Sequence, residues 1–167
     1  MSANQPARIN AQQRLIFVGK KYMIEPLGLM LLAGVAKDAG CDVSVVLITD
    51  FDYKPLWDEI ETFKPDLVCF SIWTGYHLQT FKVCDELLTR GIKVAVGGPH
   101  VTYFTDECAK HATWVIKGDG FRAMRRIISG ELPPSVHHDK EVLSEGFPVS
   151  DRSLVYGRYE DLSASPI

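Results

Sequence analysis

The chain is poor in the residues that build sequence-local metal centres. Its four cysteines, Cys41, Cys69, Cys84 and Cys108, are too far apart for a C-x-x-C pair or a tight cluster, which argues against a local zinc or iron-sulfur site. They read instead as small buried apolar residues. Long apolar runs are also missing: no stretch approaches the ~20 residues that span a bilayer, and Met1 to Gln13 is polar where a secretory signal would be apolar. A reducing cytoplasm is the expected compartment. The net charge is only -3 and no basic stripe interleaved with aromatics is present to follow a phosphate backbone, so nucleic acid is not an expected partner. Internal repeats are absent as well.

What is present is ordinary globular composition, 46% hydrophobic and 23% charged over 167 residues, enough for one packed core. Short apolar runs alternate with stretches of helical period. The expected strands are Leu15 to Val18, Val43 to Ile48, Leu67 to Ile72, Val94 to Val96 and Trp114 to Ile116. Between them, Leu56, Ile60 and Phe63 mark one helical stripe, Leu78, Phe81, Cys84 and Leu88 a second, and Phe121, Met124 and Ile128 a third. The helix that begins near Pro26 has little polar face and is expected to lie buried against the sheet. Repeated βα units of this kind give an α/β fold, a flavodoxin-like (Rossmann-like) doubly wound sheet of five parallel strands in the order 2-1-3-4-5. Three segments are expected: a polar tail over 1–13, the folded domain over 14–130 and a linker over 131–167, where the apolar pattern collapses.

Ligands of such sheets sit beyond the carboxyl ends of the strands, beside the point where the strand order reverses. Four loops meet there. The fourth strand ends in Gly97-Gly98-Pro99-His100, whose two glycines let a bulky group approach the backbone or serve a tight turn. The third strand runs into Ser71, followed by Trp73, Thr74 and Gly75, a hydroxyl, an aromatic plane and another small residue. After the fifth strand come Gly118, Asp119 and Gly120. The first loop carries Tyr22, Met23, Glu25, Pro26, Leu27 and Gly28, and it matches neither G-x-G-x-x-G nor a Walker motif, which argues against a nucleotide phosphate at that helix start. His77 and His111 fall on expected helices, facing solvent or capping an end, and His137 and His138 fall in the linker.

In this order, Pro-Leu-Gly-Leu at Pro26 to Leu29, Gly-Gly-Pro-His-Val-Thr at Gly97 to Thr102 and Gly118-Asp119-Gly120 resemble the amino-terminal cobalamin (vitamin B12)-binding domain of radical S-adenosylmethionine enzymes. That group includes anaerobic magnesium-protoporphyrin monomethyl ester cyclases and cobalamin-dependent methyltransferases. The likeness runs from about Leu15 to Gly130, with one departure: the last motif usually reads Gly-Glu-Gly-Glu, and Phe121 stands in place of the final carboxylate. The resemblance implies that the loop residues above bind cobalamin, with Tyr22, Met23 and Trp73 covering the corrin, and that Gly98 borders a slot for the nucleotide tail, so that a side chain there would enter it. Mutases and methionine synthase carry D-x-H-x-x-G after the first strand, whose histidine ligates cobalt. Here Glu25 and Met23 occupy the corresponding positions before Gly28, so no such ligand is implied.

The same resemblance implies a partner domain with a [4Fe-4S] cluster on C-x-x-x-C-x-x-C and S-adenosylmethionine. This chain has no such motif, so it is not expected to catalyse alone. The other readings are a stand-alone corrinoid carrier or sensor, and a flavodoxin-like flavin protein, against which the first loop's lack of a phosphate cradle counts. A receiver domain is disfavoured because the third strand ends in Phe70-Ser71 rather than an aspartate.

Overall fold

A computed structural model describes residues 13–22, 25–140 and 149–159. Six parallel strands form one sheet: β1 (Arg14–Lys20), β2 (Asp42–Ile48), β3 (Leu67–Ser71), β4 (Lys93–Gly97), β5 (Trp114–Gly118) and β6 (Val136–Asp139). Their order is β2-β1-β3-β4-β5-β6. The helices are α1 (Leu27–Asp38), α2 (Lys54–Phe63), α3 (His77–Thr89), α4 (Pro99–Tyr103), α5 (Thr105–Cys108), α6 (Phe121–Ile128) and α7 (Ser153–Tyr156). The doubly wound, flavodoxin-like arrangement is the expected one, with a sixth strand added to the five read from the sequence.

Successive strand residues point to opposite faces, and the two faces are filled separately. Leu15 and Phe17 of β1, Val45 and Leu47 of β2 and Trp114 and Ile116 of β5 pack with Met30, Ala33 and Ala36 of α1 and Phe121, Met124 and Ile127 of α6. Ile16 and Val18 of β1, Val68 and Phe70 of β3 and Val94 and Val96 of β4 pack with Leu56 and Ile60 of α2 and Phe81, Cys84 and Leu87 of α3. The α3 stripe is therefore turned from the expected one: Leu78 and Leu88 are exposed, and Leu87 takes the core position. All four cysteines are free and buried, and burial pushes the Cys69 and Cys84 thiols far up, so they stay neutral.

α1 lacks a polar face because it is covered on more than the sheet side. Its Gly34 lets the carbonyl of Val149 come so close that a Cβ would stand 2.3 Å from that oxygen. Lys37 pairs with Asp151, and Arg152 reaches Glu25 at 3.4 Å. The same segment then closes the β2 edge. The Leu47 amide donates to the Tyr159 hydroxyl at 2.8 Å, and Arg158 bonds the Val45 carbonyl at 3.3 Å and Glu59 at 2.8 Å. These contacts cover polar backbone at an edge that would otherwise invite another strand.

Part of the stretch read as linker belongs to the sheet. β6 pairs with β5 from Val115↔Val136 to Gly118↔Asp139. Leu132 is buried, and its carbonyl accepts the Trp114 indole N–H at 3.1 Å. His137 and His138 thus lie on a strand, with His137 donating to the Pro133 carbonyl at 2.8 Å. At the strand end, buried Asp139 accepts the Ala123 amide at 2.8 Å and so satisfies a first-turn N–H of α6. Replacing it, Asp139→Ala, is expected to lower unfolding free energy by about 1–2 kcal/mol. Urea denaturation followed by circular dichroism checks this, and an unchanged midpoint would mean the capping bond contributes nothing.

Candidate functional site

The two faces of the central strands differ in bulk toward their carboxyl ends. On the α1/α6 side stand Gly19 of β1, Cys69 and Ser71 of β3, Ala95 and Gly97 of β4 and Gly118 of β5, whereas the other side carries Val18, Phe70, Ile72 and Val96. Register aligns the row: Phe17 lies beside Cys69, Cys69 beside Ala95 and Ser71 beside Gly97. Where side chains are short, the space between the sheet and the helices is left unfilled. A cavity of about 530 Å³ remains between them, floored by these positions and walled by Leu29 and Leu32 of α1 and Phe121, Met124 and Ile127 of α6. It lies beside the β1/β3 switch point of the strand order.

The structure brings most of the sequence-predicted residues to this cavity. Tyr22, Glu25, Pro26, Leu27, Gly28, Ser71, Trp73, Gly97, Gly98, Pro99, Gly118, Asp119 and Gly120 line it. Thr74, Gly75 and His100 do not, and Met23 lies outside the described residues. The deeper floor and walls, including Phe17, Cys69, Ala95 and Ile116, are missing from the sequence reading because they look like ordinary core. The available signal was positional: small residues recur on one face at matching depth in neighbouring strands.

At the mouth, Tyr22 and Trp73 meet edge to face with centroids 5.3 Å apart, and both are partly exposed together with Leu27. The Lys20 ammonium stands over the Tyr22 and Tyr76 rings at 4.6 and 4.1 Å. Charge inside is sparse. The α6 N-terminus, a natural anion site, already holds Asp139, and Glu25 stands just before α1, so a phosphate finds little help at either helix.

His100 turns away from the cavity. It is 2% exposed, stacked between His77 and Phe104 at 4.2 and 4.7 Å, with Nδ1 hydrogen-bonded to Thr74 Oγ1 at 3.0 Å. Burial and then the neighbouring His77 lower its pKa below the ordinary imidazole value, with Glu107 opposing. His77 begins α3, and His111 follows α5 in a turn, stacked on Phe81 at 4.4 Å and bonded to Asp85 at 2.8 Å. His111 is thus on no helix, contrary to expectation.

Gly98 also differs from its expected role. Its φ of 99° and ψ of -177° fall in a region open essentially to glycine alone. A Cβ there would stand 2.8 Å from Ser71 Oγ and 2.9 Å from the Ile72 amide nitrogen, striking the end of β3 rather than entering the slot. Ile72 donates to Gly97 and His100 donates to Ile72, at 2.8 and 3.0 Å, so the turn is stitched to β3. Gly98→Val is therefore expected to cost at least about 1–3 kcal/mol of stability. Urea unfolding of that variant would show it, and wild-type stability would mean that the turn accepts a side chain there without strain.

A comparison with curated proteins finds no match. A scan against family models matches the B12 binding domain over residues 14–128, well over half of the chain. The match spans β1 through α6, every cavity-lining element among the described residues. With that coverage, and a cavity at the carboxyl ends of a doubly wound sheet, the chain belongs to the B12-binding-domain family.

Proposed function

We propose that the cavity receives the nucleotide tail of a cobalamin, while Tyr22, Trp73 and Leu27 at its rim hold the corrin. The observation that carries this reading is the row of side-chain-poor positions from Gly19 to Gly118 that opens the space over the sheet. At about 530 Å³ the cavity is of the size that encloses a drug-sized ligand. A cobalamin is far larger, so only its narrow tail fits inside. The lining suits that group: Phe17, Leu29, Leu32, Ile116, Phe121, Met124 and Ile127 exclude water, while Ser71 and the Gly97–Pro99 turn offer polar contacts near the mouth.

Among the described lining residues there is no histidine. When bound, the group supplies a cobalt centre able to carry a methyl group. The chain's own residues bind and orient it, and further chemistry falls to a partner domain. The motifs at Pro26, Gly97 and Gly118 support the amino-terminal part of a radical S-adenosylmethionine enzyme, performing methyl transfer or related radical chemistry, as that context. The [4Fe-4S] cluster and S-adenosylmethionine belong to the partner. A C-x-x-x-C-x-x-C motif encoded downstream would agree with this assignment, and a stop codon would favour a stand-alone corrinoid carrier.

Gly97 is a cleaner probe than Gly98, because a Cβ there meets only the Ile116 carbonyl, at 3.5 Å. The full chain is expected to retain hydroxocobalamin absorbance through desalting and to take up no flavin mononucleotide. Gly97→Leu should weaken cobalamin binding at least about tenfold with an unchanged circular dichroism spectrum. No retained corrin in the wild type, or undiminished affinity in the folded variant, would overturn the proposal.

A further inference from the structure

On the other face of the sheet, three helices bring a second set of groups together. His77 opens α3, His100 lies in α4 and Glu107 in α5. One ligating atom from each falls within 4.8 Å of the others. None of the three lines the cobalamin cavity.

We propose that His77, His100 and Glu107 form a site for one divalent transition-metal ion, with zinc the best-suited occupant. Two imidazoles and a carboxylate are a donor set that zinc accepts, with a fourth position left for water or another ligand. The second observation is His100 Nε2. It is buried without a hydrogen-bond partner, and Glu107 Oε2 lies 3.5 Å from it. A buried nitrogen left unpaired costs about 1–3 kcal/mol, and such groups in native structures commonly answer to an ion or water.

The surroundings prepare that nitrogen as a ligand. Thr74 Oγ1, 3.0 Å from Nδ1, can accept its proton and so fix the tautomer that presents the Nε2 lone pair. The ring itself is buried and held between His77 and Phe104, out of contact with bulk water. The rings of Phe81 and Phe104 limit water on this side.

Binding requires the donors to close. Tetrahedral bonds of about 2.0–2.2 Å place neighbouring donors nearer together than 4.8 Å. Glu107, with its side chain 43% exposed, is free to swing inward. The His77 ring must leave its 4.2 Å stack on His100, and if it ligates through Nδ1 it also releases the Gly75 amide, now 3.2 Å away.

The test is titration of the full, tag-free chain with Zn²⁺ against a chromophoric chelator, and with Co²⁺ followed by visible absorption. One equivalent is expected to bind, with tetrahedral Co²⁺ bands. His77→Gln and Glu107→Gln, both at partly exposed positions, should each weaken binding at least about tenfold and remove those bands. His138→Gln, on β6, should leave binding unchanged. No stoichiometric binding, or binding and Co²⁺ bands that survive both substitutions, would overturn the site. Cobalamin uptake is measured separately, so failure here leaves the cavity assignment standing, and the reverse holds too.

Discussion

A parallel strand inside a sheet must cover two faces, and β1, β3, β4 and β5 do so unequally. One face carries valine, isoleucine and phenylalanine to the carboxyl end, and the other tapers from Leu15, Phe17 and Leu67 to glycine, serine and alanine. Strand alternation turns that taper into space, because α1 and α6 rest on the bulky residues near the start of the strands and are held off farther along. The depth, apolarity and placement of the cavity all follow from it.

The helices that wall this space are fixed from outside the sheet. α1 is clasped by the segment from Val149 to Tyr159, through Asp151, Arg152 and the backbone approach at Gly34. α6 is capped from β6. These contacts oppose the usual response to missing volume, which is collapse of the neighbouring elements. An apolar groove can therefore persist where side chains alone would not prop it open.

Much of this was legible in the chain's pattern. Five strands and four long helices follow from runs such as Val43 to Ile48 and from stripes such as Leu56-Ile60, since burial on both sheet faces demands them. β6 was not legible, because Val-His-His-Asp is held by backbone pairing and by Asp139 rather than by apolar side chains. α4 and α5 were too short to show a period. For the site, the turn glycines and rim aromatics stand out as departures from core composition. Cys69 and Ala95 pass for core until the register aligns them. His100 attracts notice by its motif, yet the backbone at Pro99 carries its ring to the opposite side.

The bond between Asp139 and the start of α6 also ties the domain to residues beyond the family match. The family match stops at residue 128, at the last residue of α6. Yet the first turn of that helix, the Trp114 indole and the open edge of β5 all find their partners beyond it. A fragment cut at the family boundary would keep the cavity lining and lose the groups that hold one of its walls. The unit to express, or to transplant into another protein, therefore reaches at least to Asp139, with residues 149–159 as the natural companion of α1.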